Sequence, residues 1–295
     1  MSTDSGPTAK RQMRIDWTRV MDPVALLRSA GSVARTAQLL ERGLTRRTLA
    51  AAVQTGEIQQ VQRGVFALPD APPEFVAALT TNSLVTCASA ARHYGLWLLH
   101  EPTAHHLTCP GGRCAPHLNH HRRRSVPVDR RLPVVGLVDV LIHALHCLPP
   151  VEAAVVVESS LRRGDTVRTF LLDRLQGNRN GKARAALELV SGCAESAIEV
   201  VARVMFRRTG YFVETQVRID DVGRVDFVLE GFLVVEVDGD EFHSTREARN
   251  RDRRRNNELI ARGYLYLRFG YGDVTFRRDD VLEQVRTVLS GRVVR

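Results

Sequence analysis

The stretch GRVDFVLEGFLVVEVDG, residues 223–239, contains two apolar runs separated by a Glu-Gly pair. Runs of this length, rich in valine, leucine and phenylalanine, predict two strands joined by a tight turn. Side chains alternate along a strand, so Glu236 and Asp238 point to the same face. Asp226 lies on the preceding strand, and the hairpin can bring it beside them. The pattern therefore predicts three carboxylates together at one edge of a small sheet.

These acidic side chains predict a site for a divalent cation. Carboxylates placed together repel one another unless a cation neutralises them, and Mg²⁺ or Mn²⁺ prefers such oxygen ligands. A cation of this kind can polarise a phosphate and lower the pKa of an attacking water. The residues alone leave an alternative open, in which Glu236 and Asp238 are routine polar positions on a solvent-exposed strand face.

The apolar pattern on either side of the hairpin predicts the rest of a domain at 182–295. Its elements are a helix that begins before Ser196 and runs to Arg208, strands at 212–219, 224–229 and 232–238, a basic helix at 245–262, a strand at 264–269 and a closing helix at 278–289. This order predicts a small mixed sheet with helices packed on it.

The motif residues of this domain resemble the Vsr-like family of small endonuclease-like domains, within the PD-(D/E)xK nuclease superfamily. The resemblance covers about 196–289 and rests on Arg224 to Phe227, Val235 to Gly239, His243, Asp252, Arg255, Leu259, Gly263 and Arg268. It implies a metal-dependent endonuclease that uses Mg²⁺ or Mn²⁺. The implied metal ligands are Asp226, Glu236 and Glu199, the last matching the glutamate of a helical S-x-x-E that begins at Ser196.

The sequence departs from the superfamily pattern at two positions. Val225 stands where the superfamily name has proline. Asp238 stands where a lysine would orient the nucleophile, and Vsr-like members also lack that lysine. We therefore predict that Asp238 belongs to the catalytic site and that His243 serves as proton carrier or phosphate contact. A surface histidine with no such role is the alternative.

The predicted helix at 245–262 is strongly basic. Residues 246–255 contain six arginines and two acids. Such density beside a metal site suits binding of the phosphates that flank a cleaved bond. We predict that Arg249, Arg253 and Arg255 contact DNA, together with Gln216, which matches the glutamine that the family has on the strand before Asp226. The alternative is a solvated helix face on which Asp252 and Arg255 form an ion pair.

The N-terminal region predicts a winged helix at 17–70, after a disordered tail at 1–16. Three short helical patterns, with N-caps predicted at Asp22, Ser32 and Thr45, are followed by an alternating stretch at 58–68 that is typical of a two-stranded wing. This region resembles the N-terminal domain of AbiEi-type antitoxin and transcriptional regulator proteins. The matching residues are Gly43, Arg46, Arg47, Gly56 and Arg63 to Phe66.

The third predicted helix of this region begins with Arg46, Arg47 and Thr48. In a winged helix, N-terminal residues at this position meet base edges in the major groove, and Arg63 on the wing would lie near a phosphate. We therefore predict that these four residues bind DNA. A winged helix that docks another protein is the alternative.

The middle region, 74–176, predicts an α+β module. The pattern indicates a helix at 74–99, short strands within 104–135 and two helices within 138–175. We expect it to be a spacer or an interaction module, the latter serving a homodimer or a protein partner. Zinc ligands are present as residue types, but paired C-x₂-C spacing is missing, which disfavours a zinc site. The residues concerned are His105, His106, Cys109, Cys114, His117, His120 and His121.

Composition limits the partners. The net charge of +9 comes mostly from arginine, which favours a polyanion, and we expect double-stranded DNA. No apolar run approaches a membrane span and the N-terminus lacks a signal peptide, so we expect no membrane partner. The five cysteines, an odd and scattered set, predict reduced thiols in a cytoplasmic protein.

The predicted fold class is α/β overall. It comprises an N-terminal winged helix-turn-helix, an α+β middle module and a C-terminal restriction-endonuclease-like α/β/α domain with a small mixed sheet. Two functions remain open. One is a DNA endonuclease that hydrolyses phosphodiester bonds, with DNA repair as a variant by analogy to the Vsr family. The other is an AbiEi-like antitoxin or transcriptional regulator with a catalytically weak or inactive nuclease fold.

Overall fold

The structure is a computed structural model that describes residues 21–108, 119–121, 132–239 and 246–293. The chain divides into two compact units, the first ending at Thr80 and the second beginning at Thr81. The boundary predicted within the second unit, at 176–182, remains a prediction. The predicted tail and His243 lie outside the described residues, as do Cys109, Cys114 and His117.

The first unit is a winged helix. Its elements are α1 (Pro23–Ser29), β1 (Val33–Arg35), α2 (Thr36–Glu41), α3 (Arg46–Gln54), β2 (Gln59–Gln62), β3 (Val65–Ala67) and α4 (Pro73–Thr80). The strands form an antiparallel sheet in the order β1-β3-β2. Leu27, Leu39 and Leu49, one from each of the first three helices, are buried in one core with Ile58 and Phe66. This common core holds the three helices against the wing.

Two of the three N-caps predicted in this unit are confirmed. The carboxylate of Asp22 accepts a hydrogen bond from Val24 N at 2.9 Å, and Thr45 Oγ1 accepts one from Thr48 N at 3.1 Å. The prediction at Ser32 is wrong, because β1 follows it and α2 begins only at Thr36. Val33 is buried and pairs with β3, so tertiary pairing outweighs the local helical pattern.

The second unit begins with helices and a small parallel strand pair. Its elements up to residue 187 are α5 (Cys87–Ala91), β4 (His106–Thr108), β5 (Asn119–His121), α6 (Leu137–Cys147), α7 (Pro150–Arg162), α8 (Arg168–Arg174) and α9 (Gly181–Leu187). The single helix predicted at 74–99 is wrong, because the chain is extended before α5. Val85 there forms β-bridges with Leu107 and Val134, which interrupt the helical pattern.

The rest of the second unit is built on a four-stranded sheet. Its elements are α10 (Ala197–Arg208), β6 (Val213–Ile219), β7 (Gly223–Leu229), β8 (Leu233–Asp238), α11 (Arg246–Ala261), β9 (Leu265–Gly270), α12 (Tyr271–Phe276) and α13 (Arg278–Val293). The strand order is β6-β7-β8-β9, antiparallel except for the parallel β8–β9 pair, which α11 connects. This is the predicted small mixed sheet, with α12 as an element that the sequence did not predict.

Helices cover both faces of this sheet. Phe206 of α10 meets Phe227 of β7 edge to face, with ring centroids 5.7 Å apart. Leu259 of α11 packs in a core with Val228 and Val234. Because residues 227 and 228 point to opposite faces of β7, the two helices lie on opposite sides. The predicted α/β/α arrangement is therefore confirmed.

A buried ion pair joins α7 to α10. Nη1 and Nη2 of Arg203 donate to Oε1 and Oε2 of Glu158, each at 2.9 Å. The carboxylate also accepts from the backbone N–H groups of Ser191 at 2.8 Å and Ala194 at 3.1 Å. Burial would raise the pKa of Glu158, but the hydrogen bonds and charge of Arg203 outweigh it, so this pKa is lowered. The pair fixes the helical part of the unit to the helix that precedes the sheet.

Within the described ranges, no helix combines the length and apolar character needed to cross a bilayer.

Candidate active site

Asp226 lies where β7 and β8 part. The ladder between these strands ends at the pair Phe227 and Val235. Beyond it, Oδ2 of Asp226 accepts a hydrogen bond from the backbone N–H of Val237 at 3.0 Å. The Asp226 side chain thus replaces a backbone acceptor for Val237, and this hydrogen bond holds its carboxylate between the ends of the two strands.

Asp226 lies within electrostatic reach of the other predicted acidic residues. Its pKa is raised to about 6, first by burial and then by the negative charges of Glu199, Glu236 and Asp238. The hydrogen bond from Val237 acts in the opposite direction. The structure therefore brings all four predicted carboxylates within electrostatic reach of one another at Asp226.

Glu236 is buried and bound by two neighbouring elements. Its Oε2 accepts a hydrogen bond from the Tyr266 hydroxyl of β9 at 2.8 Å, and its Oε1 pairs with Nη2 of Arg255 at 2.7 Å. Arg255, on α11, also donates from Nε to the carbonyl of Val222 at 3.1 Å and from Nη2 to the carbonyl of Arg224. Arg255, predicted as a DNA contact, is thus engaged within the protein.

Asp238 pairs with Arg268 across the parallel strands. The register of β8 and β9 places Glu236 beside Arg268, and Nε of Arg268 donates to Oδ2 of Asp238. The hydrogen bond to Asp238 is the main reason that the pKa of Arg268 is raised. Two of the four carboxylates therefore already have an arginine partner.

Glu199 is a buried carboxylate held at the start of α10. Its Oε1 accepts from Ser196 Oγ at 2.9 Å, and its Oε2 accepts from Glu195 N and from Gln216 Nε2, both at 2.8 Å. Ser196 is the N-cap of α10, so the predicted start of this helix before Ser196 is wrong. These contacts fix Glu199 between α10 and β6.

Gln216 has two unusual features. Its φ is 54°, in the left-handed region, between the β6–β7 pairs Thr215–Phe227 and Val217–Val225. That register places it opposite Asp226. Its Oε1 is buried and has no hydrogen-bond partner within the part of the chain that the structure describes. A buried carbonyl oxygen without a partner is costly unless another ligand satisfies it.

The fit of a hard cation is supported by two observations and opposed by one. Asp226 lies among three further carboxylates, and the orphaned oxygen of Gln216 belongs to the ligand class that Mg²⁺ accepts. However, among the described residues the only three His, Cys, Asp or Glu ligand atoms within 4.8 Å of one another are those of Cys87, His106 and Cys147. The acidic residues thus do not meet at the spacing of a closed metal centre.

Residues 198–289 match a restriction-endonuclease-like family model, REase_MTES_1575. Residues 21–69 match a second model, AbiEi_4, described as transcriptional regulator, AbiEi antitoxin. The chain therefore contains an endonuclease-like domain and an AbiEi antitoxin domain, as the residue patterns predicted.

Solved structures resemble parts of the chain at low identity. The catalytic domain of the homing endonuclease I-Bth0305I is 24% identical, over 30% of this chain and 89% of that chain, with a TM-score of 0.27. The RV2827C protein from Mycobacterium tuberculosis is 17% identical, over 61% of this chain and 78% of that chain, with a TM-score of 0.33. No curated protein matches the sequence.

The AbiEi antitoxin domain exposes its predicted DNA-binding residues. Arg46 and Arg47 are exposed in the first turn of α3, where Thr48 is half-buried. Arg63 is exposed in the turn between β2 and β3. The arrangement places cationic side chains at both positions that a winged helix uses for DNA.

The endonuclease-like domain places its predicted basic residues differently. Arg253 is exposed on α11, whereas Arg255 points to Glu236. Arg249 belongs to the same helix, but its side chain lies outside the described part. Sequence reasoning missed Tyr266. Its pKa is raised mainly by burial and next by the charge of Glu236. The available signal was that Tyr266 and Arg268 alternate on one face of β9.

Proposed function

We propose that this chain is a metal-dependent endodeoxyribonuclease that hydrolyses phosphodiester bonds in double-stranded DNA. The observation that carries the proposal is the position of Asp226 among Glu199, Glu236 and Asp238, inside a domain that matches an endonuclease-like family model. Mg²⁺ or Mn²⁺, when bound, supplies an electrophile for the phosphate and a water of lowered pKa.

The site residues divide the tasks among them in this proposal. Asp226, Glu236 and Glu199 hold the cation, and the oxygen of Gln216 is an additional neutral ligand. Tyr266 and Arg255 fix the orientation of Glu236 through their contacts with its two oxygens. Asp238 stands in the position of the missing lysine, and Arg268 holds it beside the site. His243 is proposed as the proton carrier.

DNA binding is divided between the two domains in this proposal. Arg46, Arg47 and Thr48 on α3 read base edges, and Arg63 on the wing contacts a phosphate. Arg249 and Arg253 on α11 contact phosphates near the cleaved bond. The net charge of +9 supports a polyanionic partner.

Plasmid cleavage tests the catalytic proposal. We expect the wild-type chain to cut DNA with Mg²⁺ or Mn²⁺ and to stop in EDTA, and Asp226→Asn and Glu236→Gln to lose at least a hundredfold in rate. Glu214→Gln, an exposed carboxylate on the neighbouring strand β6, is the matched control and should cut normally. Calorimetry should show Mn²⁺ binding that Asp226→Asn abolishes. A wild-type chain that neither binds Mn²⁺ nor cuts DNA contradicts the proposal.

A second function is favoured by a specific observation. Arg255 and Arg268 already pair with Glu236 and Asp238. These two carboxylates are therefore neutralised without a metal ion, as expected of a regulator with an inactive nuclease fold. Under this alternative, an AbiEi-like regulator binds a specific DNA site without metal, and the binding survives Asp226→Asn.

Footprinting on the DNA upstream of its own gene distinguishes the two functions. A protected palindrome in EDTA favours the regulator, and unprotected DNA together with cleavage favours the nuclease. Under either function, Arg46→Ala with Arg47→Ala should weaken DNA binding and flatten its salt dependence. Arg28→Ala on α1 is the matched control, because it removes an exposed arginine outside the predicted DNA-binding residues.

A further inference from the structure

Three side chains that are distant in sequence meet inside the second unit. Cys87 begins α5, His106 begins β4 and Cys147 is the last residue of α6. Their sulfur and imidazole nitrogen atoms lie within 4.8 Å of one another, and Cys147 Sγ is 3.6 Å from His106 Nδ1. Cys87 and His106 are buried, and Cys147 is half-buried. This soft-donor cluster has no part in the carboxylate site.

The backbone around the soft-donor cluster is fixed by hydrogen bonds. The carbonyl of His106 accepts from Thr86 N at 2.9 Å, and its N–H donates to Ser89 Oγ at 3.0 Å. Both partners flank Cys87 on the chain, so β4 and the start of α5 are held together. Cys87 itself has φ 51°, a left-handed conformation that non-glycine residues rarely adopt. Strained backbone of this kind collects at functional sites.

We propose that Cys87, His106 and Cys147 bind one Zn²⁺ ion. Two thiolates and one imidazole are the donors that zinc prefers, and thiolates select it over Mg²⁺. With Zn–S and Zn–N bonds of about 2.3 and 2.1 Å at a tetrahedral angle, the sulfur and nitrogen are about 3.6 Å apart. Cys147 Sγ and His106 Nδ1 lie 3.6 Å apart in the structure. The cluster therefore accepts zinc with little rearrangement of this pair.

Two of the three proposed zinc ligands border a cavity. A cavity of about 290 Å³ has both His106 and Cys147 in its wall, along with Leu99, Glu101 and Glu152. In this proposal a water molecule from the cavity is the fourth ligand. Three protein ligands and one water distinguish such a site from a closed structural zinc centre.

Zinc content tests the proposal directly. The full-length chain, expressed with added zinc and dialysed, should contain about one zinc per chain by mass spectrometry. Cys147→Ser should lose at least four fifths of it. Cys193→Ser removes an exposed thiol elsewhere in the same unit and should keep its zinc, so it controls for loss of a cysteine as such. Cys147→Ser that retains full zinc overturns the assignment.

A second measurement on the wild-type chain removes any dependence on how the variant folds. Co²⁺ in place of Zn²⁺ should give the absorption bands of tetrahedral thiolate coordination, and zinc should slow the alkylation of Cys87 and Cys147 at least tenfold while leaving Cys193 unchanged. The proposal is overturned if Cys87 and Cys147 of the zinc-free chain are alkylated at the same rate before and after zinc is added. A Cys87–Cys147 disulfide in protein purified under reducing conditions also overturns it.

Discussion

The Glu158–Arg203 pair and the carboxylates around Asp226 both remove charge from water, but they are balanced differently. Glu158 and Arg203 expose 0% and 1% of their side chains, and each oxygen of Glu158 faces a guanidinium nitrogen. Around Asp226, Arg255 and Arg268 pair with only two of the four carboxylates, so negative charge is in excess among these residues. The pKa of Glu158 is lowered, whereas that of Asp226 is raised to about 6.

This difference separates a structural from a functional use of charge. A buried pair in which each charge meets an opposite one fixes elements in place, and removing one partner destabilises the fold. An unbalanced cluster costs stability in the free protein and is kept where a ligand supplies the missing charge. Removing the cation of the balanced pair and removing the charge of Asp226 should therefore change stability in opposite directions.

The largest expected effect is at the balanced pair. Arg203→Met leaves the Glu158 carboxylate buried without its cation, and we expect a loss of about 3–5 kcal/mol in the free energy of unfolding. Chemical denaturation followed by circular dichroism measures it. Arg207→Met, an exposed arginine on the same helix, should change this free energy by less than about 0.5 kcal/mol. Equal midpoints for the two variants would show that the pair is dispensable.

A smaller effect of opposite sign is expected at Asp226. Its pKa is about 6 in the folded chain against an ordinary value of 3.8, so between these pH values the folded chain holds a proton that the unfolded chain releases. The stability from this proton is complete below pH 3.8 and is lost as the pH rises through about 6. At pH 8 the ionised carboxylate costs on the order of 2 kcal/mol.

Asp226→Asn should remove this cost and keep an oxygen for the Val237 amide. In EDTA at pH 8 we expect the variant to be more stable than the wild type by on the order of 2 kcal/mol, with the difference vanishing at pH 4. Denaturation at both pH values measures it. A variant that is less stable at pH 8 would place Asp226 in the same class as Glu158.

The smallest effect is expected at the partly exposed ion pair between Arg255 and Glu236. Arg255 is 30% exposed and pairs with Glu236, so Arg255→Gln should cost about 1 kcal/mol. Arg254→Gln, exposed on the same helix, is the matched control. If Arg255→Gln destabilises the chain as much as Arg203→Met, the distinction between the two regions fails.

The sequence predicted those parts of the fold that depend on local pattern. The strands at the Asp226 hairpin and the helices begun by Asp22 and Thr45 follow from alternation and capping, and the structure has them. The helix predicted from Ser32 was wrong because β1 forms by pairing with a segment more than thirty residues later. The single helix predicted at 74–99 was wrong for the same reason, since the bridges of Val85 join segments that are distant in sequence.

The candidate site divides in the same way. Alternation and motif spacing suffice to select Asp226, Glu236 and Asp238. The partner of Arg255 was not predictable, because Asp252 is its neighbour along the helix and Glu236 becomes its neighbour only through packing of α11 on the sheet. The sequence offered His106 as a possible zinc ligand, but the missing C-x₂-C spacing disfavoured a zinc site. Cys87 and Cys147 were not predicted as its neighbours, since they meet His106 across 19 and 41 positions of sequence.

The hydrogen bond from Val237 to Asp226 gives the carboxylate site an internal reporter. Whatever draws Oδ2 of Asp226 away leaves the Val237 amide proton without its hydrogen-bond acceptor. Deuterium uptake at that single amide therefore follows occupancy of the site without any substrate being turned over. Val234 and Val235, which belong to the β7–β8 ladder on the same strand, provide the reference rate.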